Sequence, residues 1–277
     1  MRRILYMTEF SYESIEKSID VLRLNMSVTE LAQLSEEKSL TTDQLAAFDM
    51  LLEYLREKKI QTTIDTLHKM SRLPLKNPKT FDNFDFSVIK GKDVEKLKAL
   101  PSLAAIRAHR NLAFIGPAGV GKTHLAQAFG YECCQQGLKT YFIKMSELRD
   151  KFTSARRAGK EAAVLNGLVR PSCLIIDEVG HCEFDKENTR LFFDMIDRRY
   201  NKDGSYNVVF TSNKNPSQWR EVFNEDDALL CALDRIFDDA TVFTIRGEGY
   251  RGKRLEKVAL KANQIPRKSS SPDSITD

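Results

Sequence analysis

The chain lacks the features that mark a secreted, membrane-spanning or cysteine-clustered protein. Its five cysteines, Cys133, Cys134, Cys173, Cys182 and Cys231, are odd in number, show no C-x-x-C spacing and in several cases sit inside apolar runs. That pattern argues against disulfides and zinc, and for small buried hydrophobes in a reducing compartment. No apolar run approaches the length of a membrane span, and the opening Met-Arg-Arg-Ile-Leu-Tyr leads within a few residues to Glu9, Glu13 and Glu16. Neither a signal peptide nor a transmembrane helix is expected, so the expectation is a cytoplasmic protein without a membrane partner. Charge of one sign is scarce too: 43 lysines and arginines face 39 aspartates and glutamates, a net +4 over 277 residues. Global charge is therefore a weak argument for an anionic partner, and local clustering must carry any such argument.

Glycine and proline are absent from residue 12 to about residue 72. In that interval Leu45, Phe48, Leu52 and Leu55 form one apolar stripe, and Ile60, Ile64 and Leu67 continue it. The spacing predicts two to four helices. Thr41 or Thr42 is the expected N-cap, with Asp43 in the first turn. Pro74 and Pro78 break the pattern, and Phe81-Asp82-Asn83-Phe84-Asp85-Phe86 reads as an extended linker with aromatic anchors. The expected organisation is a small all-helical N-terminal domain over 1–80, serving DNA, partner or self-association. An α/β domain over 81–262 follows, and then a tail, 263–277, whose Ser-Ser-Ser-Pro-Asp-Ser predicts disorder. Within the α/β part, helical stretches alternate with Leu112–Ile115, Thr140–Ile143, Leu174–Ile176, Val208–Phe210 and Thr241–Ile245. Strands this apolar predict a mostly parallel sheet flanked by helices on both faces.

Glycines concentrate in Gly116-Pro117-Ala118-Gly119-Val120-Gly121-Lys122-Thr123, after an apolar run and before a helical pattern. This reads as strand, phosphate loop, helix, the signature of a nucleoside triphosphate site. Backbone N–H groups of the loop face phosphate oxygens, and the helix presents its positive end to the same anion. Lys122 is expected to reach the β- and γ-phosphates of ATP, and the Thr123 hydroxyl to ligate Mg²⁺. His124, next on the helix, falls within the nucleotide-binding stretch but reads as packing rather than catalysis. The run Leu174-Ile175-Ile176 ends in Asp177 and Glu178. Such a strand is expected beside the loop strand, with Asp177 holding Mg²⁺ and Glu178 orienting the attacking water. Val208-Val209-Phe210 runs through Thr211-Ser212 into Asn213, a candidate sensor of the γ-phosphate; the alternative is an Asn capping the turn at Asn215-Pro216-Ser217. Arg235 and Arg251 are candidates to neutralise charge on the transferring phosphoryl group, against the alternative of solvated or salt-bridged arginines.

Taken in order, G-P-A-G-V-G-K-T-H-L-A, L-I-I-D-E, T-S-N…W, L-D-R and G-E-G-Y-R resemble the IstB-like ATP-binding proteins. These are helper ATPases of bacterial insertion sequences, related to DnaC-type helicase loaders within the AAA+ class. The resemblance is tight over residues 80 to 255 and loose before them. It implies an AAA+ ATPase that forms a homo-oligomer with ATP sites at subunit interfaces, binds double-stranded DNA and activates a partner transposase. It also implies that Arg235 acts as an arginine finger on a neighbour's ATP and Arg251 as a second sensor in cis. Gly-Glu-Gly-Tyr-Arg has glycine where the family usually has serine, and Arg246 stays open as a substitute. In the related loaders and initiators a helical insertion between the second strand and the acidic strand lines the nucleic-acid channel. Here that interval holds Lys144, Arg149, Lys151, Arg156, Arg157 and Lys160, read as a surface tracking duplex phosphates, against the alternative of a solvated helical face. Lys58, Lys59, Lys69, Arg72, Lys76 and Lys79 form a second basic group. The competing function is a helicase loader that binds single-stranded DNA.

Overall fold

The computed structural model describes residues 11–89, 94–223, 234–238 and 240–246. The N-terminal stretch forms three helices, α1 (Tyr12–Leu22), α2 (Val28–Glu37) and α3 (Thr42–Ser71). Reciprocal capping boxes start two of them: Ser27 with Glu30 opens α2, and Thr41 with Gln44 opens α3. With no glycine or proline to break it, α3 continues for 30 residues. Ile15, Ile19, Leu31 and Leu52 bury together, with Phe48 packed against them. Leu55 and Ile60, expected in the same stripe, are instead 40% and 43% exposed. The reason is a change of partner along α3, whose early turns pack on α1 and whose last turns pack on the sheet body; these two side chains fall between the contacts.

At its far end α3 joins that body. His68 lies over the Tyr131 ring at 4.5 Å, Arg72 pairs with Glu147 at 2.7 Å, and Leu73 is buried among the core residues around Phe129. The following linker is folded rather than extended. Thr80 N–H donates to Asn83 Oδ1 at 3.0 Å, Asn83 N–H donates to Thr80 Oγ1 at 3.3 Å, and Asp85 caps a 3-10 turn at Phe86–Val88. Short polar side chains that satisfy nearby backbone groups favour such turns over extended chain. Phe81 and Phe84 are buried, as the reading of aromatic anchors expected.

Short helices α4 (Val94–Lys98) and α5 (Ala104–Arg107) lead to β1 (Asn111–Ile115), α6 (Lys122–Gln135), β2 (Thr140–Lys144), α7 (Met145–Ala158) and α8 (Glu161–Val169). Then come β3 (Cys173–Val179), α9 (Lys186–Tyr200), β4 (Asn207–Ser212) and β5 (Ala240–Thr244). The five strands pair in parallel in the order β2-β3-β4-β1-β5. All five expected strands form, but the acidic strand β3 does not lie beside the loop strand β1; β4 stands between them. Every residue of β4 is buried, as a strand flanked on both edges and covered on both faces requires.

Alternate residues feed two cores. Leu174 and Ile176 join one with Phe152, Phe184, Phe210 and Trp219, while Ile175 joins Phe114, Leu125 and Phe129 on the other face. Trp219, 1% exposed, anchors the packing of the first of these cores. Cys133, Cys134 and Cys173 are buried free thiols and Cys182 is half-buried; Cys231 and the tail lie outside the described residues. Among the described residues, no helix is long and apolar enough to cross a membrane.

Candidate active site

The loop after β1 opens at Gly116, whose N–H donates to the Ser212 carbonyl at 3.2 Å. A Cβ there would sit 2.2 Å from the Ile245 carbonyl oxygen, so only glycine lets β1 and the chain after β5 approach this closely. Gly121 has φ +95°, and a Cβ on it would meet the Phe84 ring at 2.7 Å. Left-handed backbone and a ring packed on the loop both demand glycine. Pro117, Ala118, Gly119 and Val120 form the intervening turn, with Val120 buried beneath it. Helix α6 begins at Lys122, so its first N–H groups lie at the loop's end, where a phosphate finds both donors and the positive helix terminus.

Lys122 is 8% exposed, and its ammonium donates to the Pro117 carbonyl across the loop at 2.7 Å. Thr123 Oγ1 donates to Asp177 Oδ1 at 2.8 Å, bridging α6 to the end of β3. Thr211, on β4, donates its hydroxyl to the same Asp177 oxygen at 2.5 Å and accepts from Glu178 N–H at 3.0 Å. The strand interposed between β1 and β3 is thus what ties the two acids together. In the sequence Thr211 stands only as the lead-in to Asn213; a hydroxyl ending an apolar run is its only signal. A hydroxyl and a carboxylate side by side are hard oxygen donors of the kind Mg²⁺ takes, so Thr123 and Asp177 fit that ion.

Glu178 has φ +62°, in the left-handed region, at a register shift between β3 and β4. A non-glycine residue there costs about 1–3 kcal/mol and persists only when its surroundings fix it. Thr211 fixes the Glu178 N–H, and His181 N–H donates to the Glu178 carbonyl at 3.2 Å. The Glu178 carboxylate accepts from Lys144 Nζ at 3.1 Å, both side chains being nearly half exposed. This hydrogen bond, with the charge behind it, raises the Lys144 pKa above its ordinary value. Lys144 ends β2 opposite Asp177, so it belongs with the acids of this site and not with the outer face of α7, where the basic grouping had placed it.

Asn213 stands one residue beyond Ser212, exposed at the tip of β4, with its amide 3.3 Å from His181 Nε2. His124 does pack: Nε2 lies 2.9 Å from the Thr80 carbonyl, the ring meets Phe84 edge-on at 5.1 Å, and burial lowers its pKa. It fastens the linker over α6, and Lys79, Asn83, Phe84 and Asp85 of that linker face Gly121 and Thr123 across a cavity of about 570 Å³.

Arg235 is not brought to this site. Its neighbour Ile236 accepts from Asn111 Nδ2 at 2.9 Å, at the start of β1, whereas the loop leaves the strand's other end. Five strand residues separate the two by about 15 Å. The Arg235 guanidinium pairs with Asp197 at 3.2 Å and is 43% exposed. Arg251 lies outside the described residues; Arg246, directly after Ile245, is exposed.

The remaining basic residues are unequal. Helix α7 buries Met145, Leu148, Phe152 and Ala155. Phe152, 0% exposed, offers no platform for a base. Arg156 donates to both oxygens of Asp185 at 2.8 and 2.9 Å and to Asn188 at 3.1 Å, fixing the start of α9. Arg149 is paired with Asp150 at 2.8 Å. Lys151 is half-buried, and Arg157 and Lys160 are exposed with no ion pair among the described residues. In the second group, Arg72 is pinned by Glu147 and Lys79 lines the cavity by the loop.

A family model for IstB-like ATP binding proteins matches residues 17–258. The putative ATP-binding protein of insertion sequence IS5376 from Geobacillus stearothermophilus is 36% identical over 213 residues, 76% of this chain and 83% of that protein. The corresponding IS21 protein of Pseudomonas aeruginosa is 30% identical over 244 residues, 88% and 89% of the two chains. Among solved structures, domain III of the Thermotoga maritima replication initiation protein DnaA superposes with a TM-score of 0.51 at 21% identity, covering 62% of this chain and 69% of that one. A DnaC helicase loader gives 0.50 at 18%, covering 61% and 97%. Both show the AAA+ fold.

Proposed function

The chain belongs to the family of IstB-like ATP-binding proteins, and from that premise we propose that it hydrolyses ATP, assembles on double-stranded DNA and directs a partner transposase. The observation that carries the enzymatic part is the Asp177 carboxylate oxygen held by both Thr123 and Thr211, with Glu178 positioned through the same Thr211 hydroxyl. Loop N–H groups and Lys122 hold the β- and γ-phosphates. Thr123 and Asp177 would hold Mg²⁺, which would neutralise phosphate charge when bound. Glu178 orients water for attack on the γ-phosphorus and takes its proton as the bond to the β-bridging oxygen breaks, yielding ADP and phosphate. To do so its carboxylate leaves Lys144. Asn213 at the strand tip reads the γ-phosphate, and Arg235 reaches a neighbour's site, which its distance from its own loop supports.

The DNA surface in this reading is Arg157 in the last turn of α7 and Lys160 at the start of α8, joined by Arg149 and Lys151. The test is affinity for matched duplex and single-stranded DNA with ATP across a salt series. Duplex binding that weakens steeply with salt is expected, because each neutralised phosphate releases counterions. A clear preference for single strands would replace this reading with that of a helicase loader, and no binding to either would remove the DNA function.

A further inference from the structure

The long helix α3 carries a second apolar face that nothing among the described residues covers. Asp43, Ala47, Met50, Leu51, Tyr54 and Lys58 are all exposed, Met50, Leu51 and Tyr54 at 61%, 55% and 59%. Spaced four, three, one, three and four residues apart, they lie on one side of the helix, opposite the face that buries Leu45 and Leu52. The order of these residues is self-complementary. Read from either end toward a centre between Met50 and Leu51, a charged residue comes first, then Ala47 or Tyr54, then an aliphatic one. The charges at the two ends are opposite in sign, and the small Ala47 mirrors the large Tyr54.

We infer that a second copy of this chain packs on this face, α3 against α3 in antiparallel, about a two-fold axis between Met50 and Leu51. That arrangement places Asp43 of each copy against Lys58 of the other, seats each Tyr54 over the other's Ala47, and stacks Met50 and Leu51 at the axis. An isologous contact demands this kind of mirrored pattern, since residue i meets j and j meets i. A parallel pairing would set like charges face to face and Tyr54 against Tyr54. Neither Asp43 nor Lys58 has an ion pair or side-chain hydrogen bond among the described residues, so both are available. The contact runs over 16 residues, about 24 Å of helix. That is too small for an obligate dimer, and it acts by adding to other contacts between subunits. It is separate from the ATP interfaces proposed above and needs no nucleotide.

The experiment is light scattering and sedimentation of the full chain without nucleotide, over a concentration series. Wild-type protein is expected to shift from monomer to dimer with concentration. Lys58→Glu and Asp43→Lys should each weaken the dimer by about tenfold or more, by setting two like-charged pairs across the axis. The double variant Asp43→Lys, Lys58→Glu exchanges the charges and should return to near wild-type association. This recovery separates pairing from a folding defect. Lys122→Ala should dimerise normally, which distinguishes failure of this contact from failure of the nucleotide reading. A wild-type chain that stays monomeric throughout, single charge variants that associate as wild type, or a double variant that does not recover would each overturn the pairing.

Discussion

Replacing Thr211 by valine keeps the shape of a buried β4 side chain and removes one oxygen. That oxygen, on a residue 1% exposed, donates a hydrogen bond to Asp177 and accepts one from the Glu178 N–H. A hydrogen bond to a charged group contributes about 1.5–3 kcal/mol, and a donor left without a partner costs about 1–3 kcal/mol more. Asp177 keeps Thr123 and Glu178 is only half-buried, so the expected loss is near the low end of the combined range, about 3 kcal/mol. At about 2–4 °C per kcal/mol for a folded unit of this size, melting should fall by about 6–12 °C. Turnover should fall by about tenfold or more, because the bond that holds Glu178 in its left-handed conformation is gone. Thr211→Ser keeps the oxygen and loses a methyl, and should cost only about 1 kcal/mol with turnover near wild type. The measurements are calorimetry and steady-state ATPase on the three proteins. A valine variant that melts and turns over like wild type would show that Thr211 does not organise the acids, and the account of the site would fall with it.

Glu178→Gln should bind ATP normally and hydrolyse it at least about a hundredfold more slowly, whereas Lys122→Ala should lose binding; near wild-type turnover in the glutamine variant would remove Glu178 from its role. Mixing Arg235→Ala with Lys122→Ala protein should recover part of the ATPase, since one interface then pairs an intact loop with an intact arginine; absence of recovery in co-assembled protein argues against a shared site. Arg157→Ala with Lys160→Ala should flatten the salt dependence of duplex binding by about two contacts without changing the melt, while Arg156→Ala should lower the melt by loosening Asp185 and Asn188. Lys202 has its pKa pushed down to about 8, chiefly by burial and then by Arg199 and Lys139. The unfolded chain therefore binds that proton more tightly, and stability should rise as pH climbs from below 8 toward 9; in Lys202→Met the slope between about pH 7 and 9 should be smaller, as calorimetry would show.

The phosphate loop, both acids and all five strands were legible because each is written locally: glycines in fixed spacing, or an apolar run ending in polar residues. The order of the strands was not, because it is decided by crossovers that no local pattern encodes, and so β4 came to lie where β3 was expected. The same distance in sequence hid Thr211, whose partner Asp177 is 34 positions away, and the pairing of Lys144 with Glu178. Counting charges assigned Arg156 to a nucleic-acid surface, but Asp185, 29 positions further on, binds it from another helix. The aromatic residues of the linker suggest an extended chain, whereas Thr80, Asn83 and Asp85 carry the turn.

Helix α3 is a rod of 30 residues held at one end. Its root is tied to the sheet by His68, Arg72 and Leu73, and the chain leaving that root places Phe84 on Gly121 of the phosphate loop. From Thr42 to Thr62 the helix runs for about 20 residues, or roughly 30 Å. A rotation of about 10° at the root therefore sweeps the Thr41 end through about 5 Å, which is close to one helical turn. Any such rotation at the root would be magnified at the far tip in this way, because the helix that carries it is unbroken.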